Sequence, residues 1–148
     1  MDASAENTKK TCPFCEIARG AGEAVEMIYE AESWLAFFPV TPATPGHTLV
    51  IPRAHVQDLW ASELGLAEEL IGAAMQVGRA ITAAVEPEGM NLITSAGEAA
   101  EQSVFHLHLH LVPRWSDDAL DIWPPKQAIE REVREDLGEA IRAVLEQS

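Results

Sequence analysis

The chain has 148 residues, with 24 acidic against 10 basic side chains, a formal net charge of -14 and 47% hydrophobic residues. That length suits one domain with a core that needs no covalent staples, whereas the acidic surface repels a phosphodiester backbone and disfavours nucleic acid as a partner. A small phosphate compound is not excluded, because backbone amides or a few local cations can hold one within an acidic protein.

Residues 1–11 are polar, offer nothing to bury and are expected to form a flexible N-terminus ahead of a single domain spanning 12–148. They contain no basic segment followed by an apolar run, and no apolar stretch approaches the ~20 residues that span a bilayer, so a soluble cytoplasmic protein without membrane contact is expected. Cys12-Pro-Phe-Cys15 is the first structured feature. Two cysteines at this spacing are too few for a disulfide framework. A knuckle of this kind can aim two thiolates at one zinc, which then needs two further ligands; a thioredoxin-like redox pair is the alternative.

Residues 25–29 and 34–38 are strand-like runs joined by a polar stretch that suggests a hairpin. Pro39, Pro42 and Pro45 make the next segment a loop, since each removes a ladder donor. A β-branched strand follows over 47–52, flanked by His47 and His55. Over 66–85 the apolar residues Leu66, Leu70, Ala74, Val77, Ile81 and Val85 recur every three or four positions and predict an amphipathic helix, stopped at Glu86-Pro87-Glu88-Gly89. Residues 90–94 form another strand and 95–101 a loop. Pro124-Pro125 marks a helix start, after which Ile129, Val133, Leu137, Ile141 and Leu145 form an apolar stripe suited to core packing or a subunit contact. Glu130 with Arg134 and Arg131 with Glu135 support its exposed face. This order of strands, helix, strands and helix predicts an α+β fold with an antiparallel sheet.

Residues 102–114 carry three of the five histidines. His106, His108 and His110 alternate with Leu107, Leu109 and Leu111, the side-chain period of a β-strand, so one face is imidazole and the other core. Alternate residues on one face are ~6.6 Å apart, which makes a row of rings rather than a cluster. A lone strand histidine is more often structural. Three in strict alternation place titratable rings where leucine or valine would pack better. Two functional arrangements follow. Two thiolates and two histidines can close a tetrahedral zinc site and leave another imidazole free, nucleophilic near pH 7 and suited to attack on phosphorus. Alternatively, two or three of the row bind a catalytic metal with an open position, which leaves the cysteines unexplained.

The segment Phe-His106-Leu-His108-Leu-His110-Leu-Val resembles the signature of the histidine triad family of nucleotide hydrolases and transferases. Cys-Pro-Phe-Cys, the 45–55 segment, Gly89-Met-Asn91 and Gln102-Ser-Val resemble that family in order and spacing, covering roughly residues 12–114. The resemblance implies a five-stranded antiparallel sheet with two main helices, and homodimers. It implies that His108 attacks an α-phosphorus and forms a covalent intermediate hydrolysed by water. His110 is then expected to hydrogen-bond the phosphate, Gln102 and Ser103 to contact phosphate oxygens or the leaving group, Asn91 to serve as a phosphate-side amide, and His47 to lie near the reacting groups. Similarity to metal-bearing members implies a structural zinc on Cys12, Cys15, His55 and His106.

Three positions depart from the family pattern. Pro39 stands where an Asp commonly binds ribose hydroxyls, removing a charge-assisted hydrogen bond of roughly 1.5 to 3 kcal/mol. Ser95 replaces a common Asn, a milder change. Glu101 replaces a Gly that precedes the Gln, adding bulk and negative charge near the expected phosphate. A monophosphate ester, anhydride or phosphoramidate is therefore expected as substrate rather than a dinucleoside tetraphosphate. A zinc-containing nucleotide-binding or regulatory protein with weakened catalysis is the alternative, and a metal-dependent hydrolase built on the triad is a third.

Overall fold

The computed structural model describes residues 12–123 and 125–148. The expectation of a flexible N-terminus over 1–11 falls outside these, as does Pro124. In chain order the elements are α1 (Pro13–Ala18), β1 (Met27–Glu30), β2 (Trp34–Phe37), β3 (Thr48–Pro52), α2 (Leu64–Val85), β4 (Gly89–Ile93), a 3-10 turn (Glu98–Ala100), β5 (Leu109–Arg114) and α3 (Arg131–Leu145). The strands form one sheet in the order β1-β2-β3-β5-β4, and every neighbouring pair is antiparallel. The expected α+β fold with a five-stranded antiparallel sheet is therefore present, with a short third helix, α1, where a simple knuckle was expected.

Helices cover the central strands on both faces. On one face Leu70, Ala73, Ala74, Val77 and Ile81 of α2 pack with Trp34, Ala36, Val50, Leu107, Leu109 and Leu111. On the other, Cys12, Phe14, Cys15 and Ile17 pack with Leu35, Phe37, Leu49 and Ile51. Double coverage explains why every residue of β2 and β3 is buried and why both read as continuous apolar runs rather than alternating ones. Among the described residues no helix is long and apolar enough to cross a membrane.

The histidine segment departs from the expected strand. Regular β5 begins only at Leu109, so His110 lies on it while His106 and His108 precede it. β3 and β5 pair from Thr48 with Leu111 to Val50 with Leu109. Two residues further along β3 is Pro52, which has no N–H to continue the ladder. There the segment turns to other partners: the Leu107 N–H donates to the Val56 carbonyl at 2.7 Å, and the His106 ring takes the Pro52 carbonyl. The alternation of faces survives. Leu107, Leu109 and Leu111 enter the α2 core, and the imidazoles lie on the α1 side, where His106 and His108 touch the Phe14 ring.

The last helix corrects a second expectation. It begins at Arg131 after the capping residue Glu130, not beside the prolines. Its stripe is not core: Ile129, Val133, Leu137, Ile141 and Leu145 are all exposed. The Arg131–Glu135 pair forms at 2.7 Å.

Candidate active site and metal centre

Two clusters meet at the histidine segment. In the first, Cys12, Cys15, His55 and His106 bring one ligand atom each to within 4.8 Å of one another. Cys12 caps the N-terminus of α1, where its sulfur accepts the Cys15 N–H at 3.4 Å. His106 Nδ1 lies 3.5 Å from both sulfurs, and His55 Nδ1 lies 3.2 Å from the Cys15 sulfur. Four thiolate and imidazole donors around one zinc ion would stand ~3.3 to 3.8 Å apart, from the usual bond lengths and a tetrahedral arrangement. The donor set and its spacing therefore fit a metal.

The protonation of His106 suits this use. Its Nε2 faces the Pro52 carbonyl at 2.8 Å. A carbonyl can only accept, so Nε2 carries the proton and Nδ1 presents its lone pair to the cysteines. His106 is fully buried, and desolvation pushes its pKa down to about 4, the Pro52 hydrogen bond opposing this and the charges of His55 and His108 adding to it.

The second cluster is a chain of rings. The Ala43 N–H donates to His47 Nδ1 at 2.9 Å, which leaves the proton of neutral His47 on Nε2. That atom lies 3.0 Å from His110 Nδ1, so His47 donates and His110 keeps its own proton on Nε2. His108 Nδ1 lies 2.7 Å from the His106 carbonyl; it must donate, and His108 Nε2 is left with a lone pair. The His108 and His110 rings are 4.9 Å apart. Burial lowers the pKa of His47 and of His108. His110 is pushed down to about 4 by burial first and by the charges of His108 and His47 next. All three rings are therefore neutral near pH 7, and two offer opposite functions: a lone pair on His108 and an N–H on His110.

Local sequence explains this placement. The Pro45-Gly46 turn enters β3 with Gly46 at φ +86°, and a Cβ there would stand 3.3 Å from Pro113. Thr44 Oγ1 donates to the Pro113 carbonyl at 2.7 Å, tying this turn to β5. His47 is thereby delivered beside His110, whose backbone pairs with Leu49. Immediately after β4, Thr94 Oγ1 donates to the His108 carbonyl at 2.9 Å.

The remaining predicted site residues are placed differently. Gln102 is buried, and its amide braces the loop: Oε1 accepts the Gly97 N–H at 2.8 Å, and Nε2 donates to the Gln57 carbonyl at 2.7 Å and the Val104 carbonyl at 3.1 Å. Both of its amide protons thus have backbone acceptors, and its position is that of a strut under the histidine segment. Ser103 is exposed in the same loop. Asn91 pairs with Val112 on β5, and its Oδ1 accepts from Arg114 at 3.0 Å. Arg114 also holds Asp118 with its Nε at 2.7 Å. That guanidinium, with the Leu120 and Trp115 N–H groups, holds the Asp118 carboxyl well below the usual carboxylate range. Asn91 thus belongs to an anchor for the segment after β5.

Sequence reasoning did not single out Phe14, Thr94 or the carbonyls of Pro52, Gln57 and His106. Backbone acceptors carry no residue-type signal. Phe14 had one: its place between the two cysteines.

Residues 23–117 match the HIT domain family. The chain is 40% identical over 106 residues to the Hit protein of Bacillus subtilis, covering 72% of each. It is 32% identical over 132 residues to an adenosine 5'-monophosphoramidase of Schizosaccharomyces pombe, covering 88% of this chain and 96% of that one. Among solved structures, a Streptococcus mutans protein superposes with a TM-score of 0.84 at 36% identity, covering 91% of this chain and 85% of its own. A zinc-bound histidine triad family protein from Mycobacterium smegmatis superposes with a TM-score of 0.71 at 34% identity, covering 94% and 96%.

Proposed function

Because the chain belongs to the HIT domain family, we propose that it is a nucleotide phosphohydrolase or nucleotidyl transferase acting at the α-phosphate through His108. The observation that carries this reading is the hydrogen bond from His108 Nδ1 to the His106 carbonyl, which leaves Nε2 as the nucleophilic lone pair.

In the proposed reaction His108 Nε2 attacks the α-phosphorus. The N–P bond forms as the bond from phosphorus to the leaving group breaks, and the leaving group departs with the electron pair, taking a proton from solvent where it leaves as an amine. His110 presents its Nε2–H to a phosphoryl oxygen, where charge accumulates. His47 keeps that proton on Nε2 by donating to Nδ1. Water, or an acceptor hydroxyl in a transferase, then attacks phosphorus and gives up its proton to solvent, while the N–P electron pair returns to His108 as its lone pair. Because His108 starts neutral, attack needs no prior deprotonation, and burial favours that state.

Zinc is the metal proposed for Cys12, Cys15, His55 and His106, by the donor set and by the zinc-bound relative. With four protein donors such a site is closed, and its contribution when filled is structural.

For the substrate we favour a phosphoramidate, or a simple ester or anhydride of a nucleoside monophosphate. The adenosine 5'-monophosphoramidase relative supports this choice. So do Pro39, which has no ribose acceptor, and Glu101, whose exposed carboxylate opposes a long polyphosphate. Ser103 is proposed to meet phosphate or leaving group. Incubation with labelled adenosine phosphoramidate and with diadenosine tetraphosphate tests the reading. A labelled covalent adduct on native protein but not on His108→Ala, with faster turnover of the phosphoramidate, is expected. No adduct on folded native protein sinks the catalytic reading, and preference for the tetraphosphate sinks the substrate assignment.

A further inference from the structure

Phe14 stands between the two cysteines, yet its ring reaches the other cluster. Its centroid is 5.1 Å from that of His108 with the planes at 86°, 5.9 Å from His106 at 77°, and 5.7 Å from Phe37 at 75°. Phe14 is buried, and Phe37 behind it on β2 is 1% exposed. One aromatic ring thus sits edge-to-face against a metal-cluster histidine, the adjacent histidine of the other cluster and the sheet.

We propose that Phe14 is a positioning residue for His108, and that it makes the seating of the Cys12–Cys15 knuckle a determinant of how the nucleophile is oriented. This rests on His108 being the nucleophile. The His108 ring has one hydrogen bond on the Nδ1 side, to the His106 carbonyl. That bond restrains rotation about the Cβ–Cγ bond at the Nδ1 edge, and packing on the ring limits the rocking that the breadth of hydrogen-bond geometry still allows. Phe14 supplies that packing, and perpendicular ring contacts of this kind are directional.

What seats Phe14 is the cluster on either side of it. Helix α1 has six residues, too few to persist on its own. Its anchors are the burial of Phe14 and Ile17 and the convergence of the Cys12 and Cys15 sulfurs on His106 Nδ1. A metal bound by the two cysteines, His55 and His106 would draw both ends of the Cys-Pro-Phe-Cys turn to one point and hold Phe14 against His108. Without the ion the turn would rest on its apolar contacts, the Cys12 cap, the sulfur–imidazole contacts and the Arg53 hydrogen bond to the Ala18 carbonyl, which are weaker than metal–ligand bonds. The closed metal site and the reacting ring are linked in two ways: through the His106 backbone carbonyl and through the Phe14 ring.

The test compares metal-loaded native protein, metal-free native protein prepared by chelation, and metal-loaded Phe14→Leu. Metal content, imidazole nitrogen-15 shifts of His108 and adduct-formation kinetics are measured on each. Loaded native protein is expected to show one Nδ1–H tautomer. Phe14→Leu with its metal retained, and the metal-free native protein, are expected to show tautomer-averaged shifts. Adduct formation should slow about 10-fold with half-saturation changed less than about 2-fold, the pattern of a misplaced nucleophile. Unchanged His108 shifts and rate in loaded Phe14→Leu overturn the proposal, as do unchanged shifts on chelation. If Phe14→Leu does not hold metal, the chelated native protein decides; if chelation unfolds the chain, Phe14→Leu decides. Native protein that forms no adduct refutes the catalytic reading, whereas a native adduct with an unaffected Phe14→Leu refutes only this inference.

Discussion

Two histidine clusters share one short segment, and they differ in how their donor atoms are arranged. Around Cys12, Cys15, His55 and His106 the atoms converge on one point. Across His47 and His110 they run in series, each ring taking its protonation from the previous contact, while His108 is set by a backbone carbonyl. Convergence suits holding an ion. A series fixes tautomers and leaves the terminal atoms to face outward. His106 and His108 are two residues apart and both are buried, so burial does not separate the roles. What separates them is the partner at the second nitrogen. The Pro52 carbonyl turns the Nδ1 lone pair of His106 toward the thiols, and the His106 carbonyl leaves His108 with its lone pair on Nε2.

The sharpest way to break this division is one substitution on each side. His108→Ala should lower the rate of adduct formation by at least about 10³-fold, with metal content unchanged by elemental analysis; metal loss would show that the clusters are one site. Cys12→Ser should do the reverse in kind. It should release the metal and lower unfolding stability by on the order of 4 kcal/mol, read by denaturant titration. Stoichiometric metal in that variant would overturn the four-donor assignment.

Gln102→Ala should act on both clusters through the loop. It removes a buried amide from three backbone partners and should cost about 2 kcal/mol of stability. If Gln102 is instead a substrate contact, stability will hold and only half-saturation will rise.

Acid should act on the series cluster through His110 and His47, whose folded pKa values are depressed. The sign follows from the neutral form being favoured in the folded protein. Their contribution to stability is fully present above the unfolded value near 6.5 and is lost as pH falls toward about 4, the folded value of His110. NMR titration of the His110 ring should give a midpoint near about 4; a midpoint near 6.5 would contradict the buried relay.

The smallest effect is expected at Glu101, which holds φ 64° without being glycine. Glu101→Gly should raise stability by up to about 1 kcal/mol in thermal unfolding and ease turnover of longer polyphosphates. Lower stability would mean that the carboxylate has a favourable partner.

The two long helices carry a related contrast. Both have apolar stripes at helical spacing. That of α2 is covered by the sheet, with Leu70, Ala74, Val77 and Ile81 buried, whereas that of α3 is exposed along its length. Periodicity specifies which face of a helix is apolar and says nothing of whether another element reaches it.

Much of the architecture was legible in the residues alone. The 3.6-residue period of α2 and the continuous apolar runs of β2 and β3 are local patterns dictated by side-chain geometry. So are the prolines that interrupt the chain at 39–45 and the alternation of His106, His108 and His110 with leucines. The four ligand candidates were named through family resemblance, and the fold brings them together. Tertiary structure alone decided which nitrogen of each histidine carries its proton, because that depends on carbonyls and amides distant in sequence, Pro52 for His106 and Ala43 for His47. It alone showed Gln102 braced on Gln57 and Asn91 on Arg114, and Phe14 wedged between the two clusters. Residue type records what a side chain can donate or accept; only the folded chain supplies the partner that selects among those options.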